Sequence, residues 1–248
     1  MISVDLNCDM GEGCPNDLEL MSQVSSVNIA CGFHAGDVAT MCKTVENAVE
    51  NKVAIGAHPS FPDRKNFGRT TLTMPLTEIY EIVSEQIESL RQICSGAGAI
   101  LGHVKPHGAL YNQSARDGDL AAIIAKAIRD SDQNLVLYGL SGSLSIIEAE
   151  KIGLCTASEA FADRTYSADG SLTPRSSRDA LITDAETAAK QAVKMVTSGT
   201  IVATDGTNIT IKADTICIHG DGKHALEFAI AIRRRLLENG INIRPINV

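Results

Sequence analysis

Apolar residues along the chain fall into short runs, separated by longer stretches in which they recur every third or fourth position. The short runs predict strands over residues 2–7, 26–31, 53–58, 99–105, 135–139, 154–159 and 214–219. The intervening period predicts helices over 37–51, 76–94, 117–130, 142–151, 182–198 and 223–239, with a short one near 16–23. Within 37–51, Met41, Val45, Ala48 and Val49 share a face, and Asp37 stands where an N-cap belongs. Within 76–94, Ile79, Ile82, Val83, Ile87, Leu90 and Ile93 form a second apolar stripe. IVATDGTNITI at 201–211 reads as an inserted hairpin turning at Asp205 and Gly206, and Gly240 follows the last helix as a stop.

Strand–helix alternation repeated about seven times implies a parallel sheet with helices outside it. Roughly 35 residues per unit is close to the spacing of a (β/α) barrel, and seven units would give a reduced or distorted one. A doubly wound open sheet is the competing arrangement. No linker, low-complexity tract or internal repeat interrupts the pattern, so one domain over 1–248 is expected.

Composition narrows the class. A hydrophobic content of 44% with 21% charged residues supports a sizeable core. The net charge of -8 argues against nucleic acid, which demands a basic surface, and against a polybasic membrane contact. An anionic substrate would therefore need a local cluster of cations. Neither a signal peptide nor an apolar run of the roughly 20 residues that span a bilayer is visible. The seven cysteines lack a CxxC pair, which fits reduced thiols in a cytoplasm.

Ligands of parallel α/β folds sit at the carboxyl ends of strands, and there the unusual residues collect. The first strand ends in VDLNCDMGEG, with Asp5, Asn7 and Asp9 on one face and Glu12 just beyond. The second offers Asn28, His34 and Asp37, and the third His58 and Asp63. HVKPHGALYN at 103–112 places His103, Lys105 and His107 at alternate positions, hence on one face of an extended chain. The sixth offers Glu159, Asp163 and Arg164, and the seventh His219 and Asp221. Each alone has an ordinary explanation as a cap, a turn or a satisfied core residue. Five of the six histidines at or just after strand ends are harder to explain that way; His224, in the last helical pattern, is the exception.

The chemistry on offer is proton transfer and charge stabilisation: a carboxylate such as Asp9 as base, with His and Lys facing developing negative charge. Arg164, Arg69 and Arg175 are candidates to hold a carboxylate or phosphate. The chain has no GxxxxGK[ST] loop, no GxSxG elbow and no HExxH helix. Carboxylates and imidazoles at strand ends suit a divalent metal, but no ligand spacing singles one out, so the metal is left unassigned.

In order from residue 5 to 222, DLNCDMGEG, NIACGFHAGD, GAHPSFPD, FGR, HVKPHGALYN, EAFADRTY with the later PR, and CIHGDG resemble the LamB/YcsF family, that of one component of bacterial ATP-dependent 5-oxoprolinase. The chain departs at Cys14-Pro15, where the family pattern continues with a Phe-Gly type pair. The resemblance implies an irregular seven-stranded (β/α) barrel of the glycoside hydrolase and deacetylase type. It also implies opening of 5-oxo-L-proline to L-glutamate, with ATP as co-substrate of a complex containing two other subunits. On that basis Asp9, His58, Lys105 and His107 are the expected catalytic set, and Asn7, Glu12, Asn28, His34, Glu159 and Arg164 the expected substrate-binding set. Two other readings compete: a stand-alone metal-dependent deacetylase or amidohydrolase, and a non-catalytic subunit that positions substrate.

Overall fold

Strand β1, Ser3–Met10, sets the plan of the molecule because its two faces differ in chemistry. Leu6, Cys8 and Met10 belong to the main apolar core, while Asp5, Asn7 and Asp9 alternate with them on the opposite face. The computed structural model describes residues 2–246 except 219, 221 and 223, so the candidates His219 and Asp221 lie outside the described residues.

In chain order there follow α1 (Asp17–Met21), β2 (Ser26–Ala30), α2 (Val38–Asn51), β3 (Ala54–His58), α3 (Leu76–Gly96) and β4 (Leu101–Val104). Then come α4 (Gly108–Ser114), α5 (Gly118–Ser131), β5 (Val136–Leu140), α6 (Leu144–Lys151) and β6 (Cys155–Phe161). The last part holds α7 (Ala185–Ser198), β7 (Thr200–Val202), β8 (Asn208–Thr210), β9 (Thr215–Ile218), α8 (Ala225–Glu238) and β10 (Asn242–Ile243). Strands β1 to β6 pair in sequence, β6 pairs with β9, and β9 pairs back with β1. All these pairings are parallel, so they close a seven-stranded barrel. The barrel expectation holds, and the open sheet is excluded.

Asp37 caps α2 by accepting from the Thr40 amide at 2.8 Å. The hairpin reading also holds: β7 and β8 pair antiparallel outside the barrel. Two elements lie beyond what periodicity reveals. Helix α4 has 7 residues, too few to establish a period, and β10 has 2, added to the outside of β1. Strand β4 ends at Val104, so Lys105 begins the loop rather than closing the strand. Among the described residues no helix is long and apolar enough to cross a membrane.

The lumen is polar, in contrast to the branched apolar filling usual in such barrels. Asp5 accepts from Ser25, Ser26 and Thr215 at 2.6, 2.7 and 2.6 Å. Burial pushes its carboxyl above the ordinary value despite those hydroxyls. Above it, Asn7 donates to Thr215 at 2.8 Å and to Glu159 at 2.9 Å, and accepts from Asn28 at 2.7 Å. A buried network of this kind is stable only when its members are satisfied, and it then fixes one arrangement of the side chains above it.

Gly56 makes room for part of this network. It pairs in register with His103, and a Cβ there would lie 2.1 Å from His103 Nε2. His103 cannot retreat, because its ring stacks on Tyr138 at 4.1 Å. Its Nε2 lies 2.9 Å from Asn28 Oδ1, and Asn28 donates to Asp9 at 2.8 Å. Gly56→Ala is therefore expected to cost about 1–3 kcal/mol through overpacking, lowering the melting temperature by several degrees. A thermal melt unchanged within error would contradict this close approach.

Candidate active site

The candidate residues converge at the carboxyl ends of the strands. Asp9 lies one residue before the end of β1, and Glu12 follows in the next loop. His34 lies between β2 and α2, His58 ends β3, and Lys105 and His107 fill the short link from β4 to α4. Glu159 lies in β6, and Arg164 in the long connection from β6 to α7. Gly108 lets the backbone turn at once into α4: its φ is +57°, and a Cβ there would meet the Gly68 carbonyl oxygen at 2.5 Å.

Lys105 is the hub. Its Nζ lies 2.9 Å from Asp9 Oδ1, 2.9 Å from Glu159 Oε1, 3.1 Å from Asn7 Oδ1 and 3.1 Å from Cys217 Sγ. Burial opposes its charge, but Asp9, Cys217 and Glu159 outweigh burial and hold the ammonium well above its ordinary pKa. Burial likewise opposes ionisation of Asp9, and there His58 and Lys105 prevail, holding the carboxyl well below the usual range. Asp9 differs from its neighbours in exposure: its side chain is 13% accessible, against 4% for Glu12 and 0% for Glu159. It is the most open carboxylate of the three.

Beside this pair, three imidazoles and Glu12 face one another. His34 Nε2 lies 3.1 Å from Glu12 Oε1, and His107 Nδ1 lies 3.4 Å from the same oxygen and 2.9 Å from His58 Nε2. His58 Nε2 also approaches Asp9 Oδ2 at 3.4 Å. Burial, then the charge of His58, pushes His34 down to about 3; burial, His58 and His34 push His107 down to about 2. His58 takes the other direction: burial lowers it, but the Asp9 charge and hydrogen bond raise it above its ordinary value. Potential ligand atoms of Glu12, His34, His58 and His107 all lie within 4.8 Å of one another, so this set can hold a metal ion.

A cavity of about 370 Å³ opens over the site. Asp9, Glu12, His58, Lys105, His107 and Arg164 line it, whereas Asn7, Asn28, His34 and Glu159 stand behind that lining. Arg164 is 5% exposed and gives two of its N–H groups to the carbonyls of Thr173 and Ala180, at 2.6 and 3.2 Å. It thus ties down the loop that forms one wall while facing the cavity. Arg69 and Arg175, singled out from the sequence, also line the cavity. Arg116, Tyr111, Asn112 and Cys217 were missed. The first three ride on or just after α4, which is too short for a periodic signal, and Cys217 reads as one more apolar strand residue. His224 stays outside: it is exposed beside Glu227 at 3.2 Å.

The fold is that of a parallel (β/α) barrel with a cluster of charged and titratable side chains at its carboxyl mouth. The chain belongs to the LamB/YcsF family, which it matches over residues 4–248. It is 51% identical over 241 residues to the 5-oxoprolinase A-subunit of Histophilus somni (strain 129Pt), covering 97% of this chain and 98% of that one. The crystal structure of a lactam utilization protein from Thermus thermophilus superposes with a TM-score of 0.94 at 41% identity, covering 99% of this chain and 100% of that one. A family 4 carbohydrate esterase from Streptomyces lividans shares the fold at a TM-score of 0.53 and 11% identity, covering 99% of this chain and 93% of that one.

Proposed function

We propose that this chain is the lactam-opening subunit of an ATP-dependent 5-oxoprolinase, working with two partner subunits to convert 5-oxo-L-proline to L-glutamate. The observation that carries this reading is the Asp9–Lys105 contact at 2.9 Å, set at the floor of a cavity walled by arginines. Its likeness to the Histophilus 5-oxoprolinase component supports the substrate. A five-membered lactam is a stable amide, so its carbonyl carbon must be activated before water adds; transfer of the terminal phosphoryl group of ATP to the ring carbonyl oxygen, releasing ADP, supplies that activation.

In this scheme Asp9 takes a proton from the water that adds to the ring carbonyl carbon. Lys105, His58 and His107 face the oxygen that gains negative charge. The ring carbon–nitrogen bond then breaks as the nitrogen takes a proton, leaving the amine and an acyl phosphate, which a second water splits into phosphate and the new carboxylate of L-glutamate. Arg164, with Arg69, Arg116 and Arg175, offers paired donors to the substrate carboxylate or to a phosphoryl group. Asn7, Asn28 and Glu159 hold Lys105 and Asp9 in place from below, and Glu12 and His34 shape the neighbouring wall.

Glutamate release from 5-oxoproline tests the reading, measured with this chain alone, with ATP, and with its two partner subunits added. Turnover that needs ATP and the partners is the expected result. ATP-independent cleavage of simple amides or acetyl groups by the chain alone would instead favour a stand-alone amidohydrolase. Assembly with turnover unaffected by loss of Lys105 would favour a passive positioning subunit.

A further inference from the structure

We propose that Glu12, His34, His58 and His107 form a binding site for one first-row divalent cation of the zinc type. The argument rests on which ring nitrogens are committed elsewhere. Ser60 gives its hydroxyl proton to the Phe61 carbonyl at 3.0 Å, so its oxygen accepts from His34 Nδ1 at 2.9 Å. His58 Nδ1 meets the Lys105 carbonyl at 2.6 Å, and His107 Nε2 meets the Phe67 carbonyl at 2.9 Å. A carbonyl only accepts, so each of these nitrogens carries the ring proton. With the rings neutral, the lone pairs fall on the three remaining nitrogens, His34 Nε2, His58 Nε2 and His107 Nδ1, which face one another and the Glu12 carboxylate.

This arrangement is that of metal-binding histidines, whose outer N–H is held by an oxygen so that the inner nitrogen is free to ligate. Ligand bonds of about 2.0–2.1 Å in tetrahedral geometry place donors about 3.3–3.4 Å apart. Four of the six donor pairs here lie 2.9 to 3.8 Å apart and bracket that spacing, and all the donors lie within 4.8 Å of one another. Three imidazoles and one carboxylate suit zinc, cobalt or manganese and not magnesium or calcium, which take oxygen ligands. The His34 and His107 rings stack nearly parallel, 3.8 Å apart, so closing on an ion tilts them towards it. The argument for the site does not rest on the lactam-opening reading, but an ion bound here would take His58 and His107 as ligands rather than as donors to the substrate oxygen.

The test uses the untagged full-length chain, stripped with chelator and titrated with zinc chloride or cobalt chloride. One equivalent retained through gel filtration, with strong visible bands of tetrahedral cobalt and no displacement by excess magnesium, is expected. His34→Ala and Glu12→Gln, each checked for a cooperative thermal melt, should lose it, while His224→Ala should retain it. Ser60→Ala, which frees the outer nitrogen of His34, should weaken binding by about 10–100-fold. Failure of the wild-type chain to retain zinc or cobalt, or only weak octahedral cobalt bands, would overturn the proposal. So would undiminished binding by folded His34→Ala and Glu12→Gln, since the four groups would then be sharing protons. The cobalt spectrum is read on the wild type and does not depend on any variant folding. Glutamate release measured in parallel separates this outcome from failure of the oxoprolinase reading.

Discussion

Lys105→Met is expected to lose both stability and turnover, and to lose more stability than any other single change at the site. The side chain is 3% exposed and lies between two carboxylates, each 2.9 Å from its nitrogen. Methionine fills much of the same volume but leaves Asp9 and Glu159 without the ammonium that compensates them. Breaking a buried pair from one side costs about 3–5 kcal/mol, because the remaining charge stays buried. For a chain of this length that is a fall of roughly 6–20 °C in melting temperature. Turnover should fall by about 10²–10³-fold or more, the range for losing one donor that faces developing negative charge.

The pH dependence of the stability difference identifies the cause. In the native chain the folded pKa of Asp9 is depressed, so its contribution is present at neutral pH and lost only as pH falls through that low value. In Lys105→Met the compensating ammonium is gone and burial raises the carboxyl pKa. The folded variant then takes up protons at a pH where the unfolded chain does not. Its stability therefore rises as pH falls through the raised folded value towards the ordinary value near about 4. The gap between wild type and variant should narrow from about pH 7.5 to about pH 5. A gap that stays constant would assign the loss to packing alone.

Much of the barrel is legible in the sequence because each strand buries an outer apolar face against an amphipathic helix. Val27 and Ile29 in β2 or Val83 and Ile87 in α3 advertise that packing by period alone. The site is legible for a different reason: the inner face of β1 carries Asp5, Asn7 and Asp9 where a barrel lumen normally holds branched apolar residues. The depth of each group is not legible. Asn7, Asn28 and Glu159 occupy strand positions like that of Asp9, yet the cavity reaches only Asp9, because how far it descends depends on side chains from strands distant in sequence. Arg116 and Tyr111 escaped for want of a recognisable helix around them. The convergence of His34, His58 and His107 on Glu12 is likewise a product of closure, since the ends of four separate strands and the loops after them supply the groups and no spacing in the chain encodes it.

Asp9→Asn separates charge from shape at the same place. The amide can keep the acceptor that faces Asn28 and Lys105, at 2.8 and 2.9 Å, so the network loses charge and little geometry. Lys105 also keeps Glu159 as a counter-ion. Stability should therefore change far less than in Lys105→Met. Turnover should not be spared. Asp9 is the carboxylate most open to the cavity, and its neighbours Lys105 and His58 keep it ionised, which makes it ready to accept a proton at neutral pH. Those same charges weaken it as a base, His58 among them, its Nε2 standing 3.4 Å away. Removing a positioned base typically costs about 10²–10⁴-fold, and that loss should appear in kcat with KM nearly unchanged. Steady-state glutamate release by the assembled complex, with the variant melting within a few degrees of wild type, is the measurement. Turnover within about threefold of wild type would remove Asp9 from proton transfer and leave its role as the anchor of Lys105. A raised KM at unchanged kcat would make it a substrate-binding group instead.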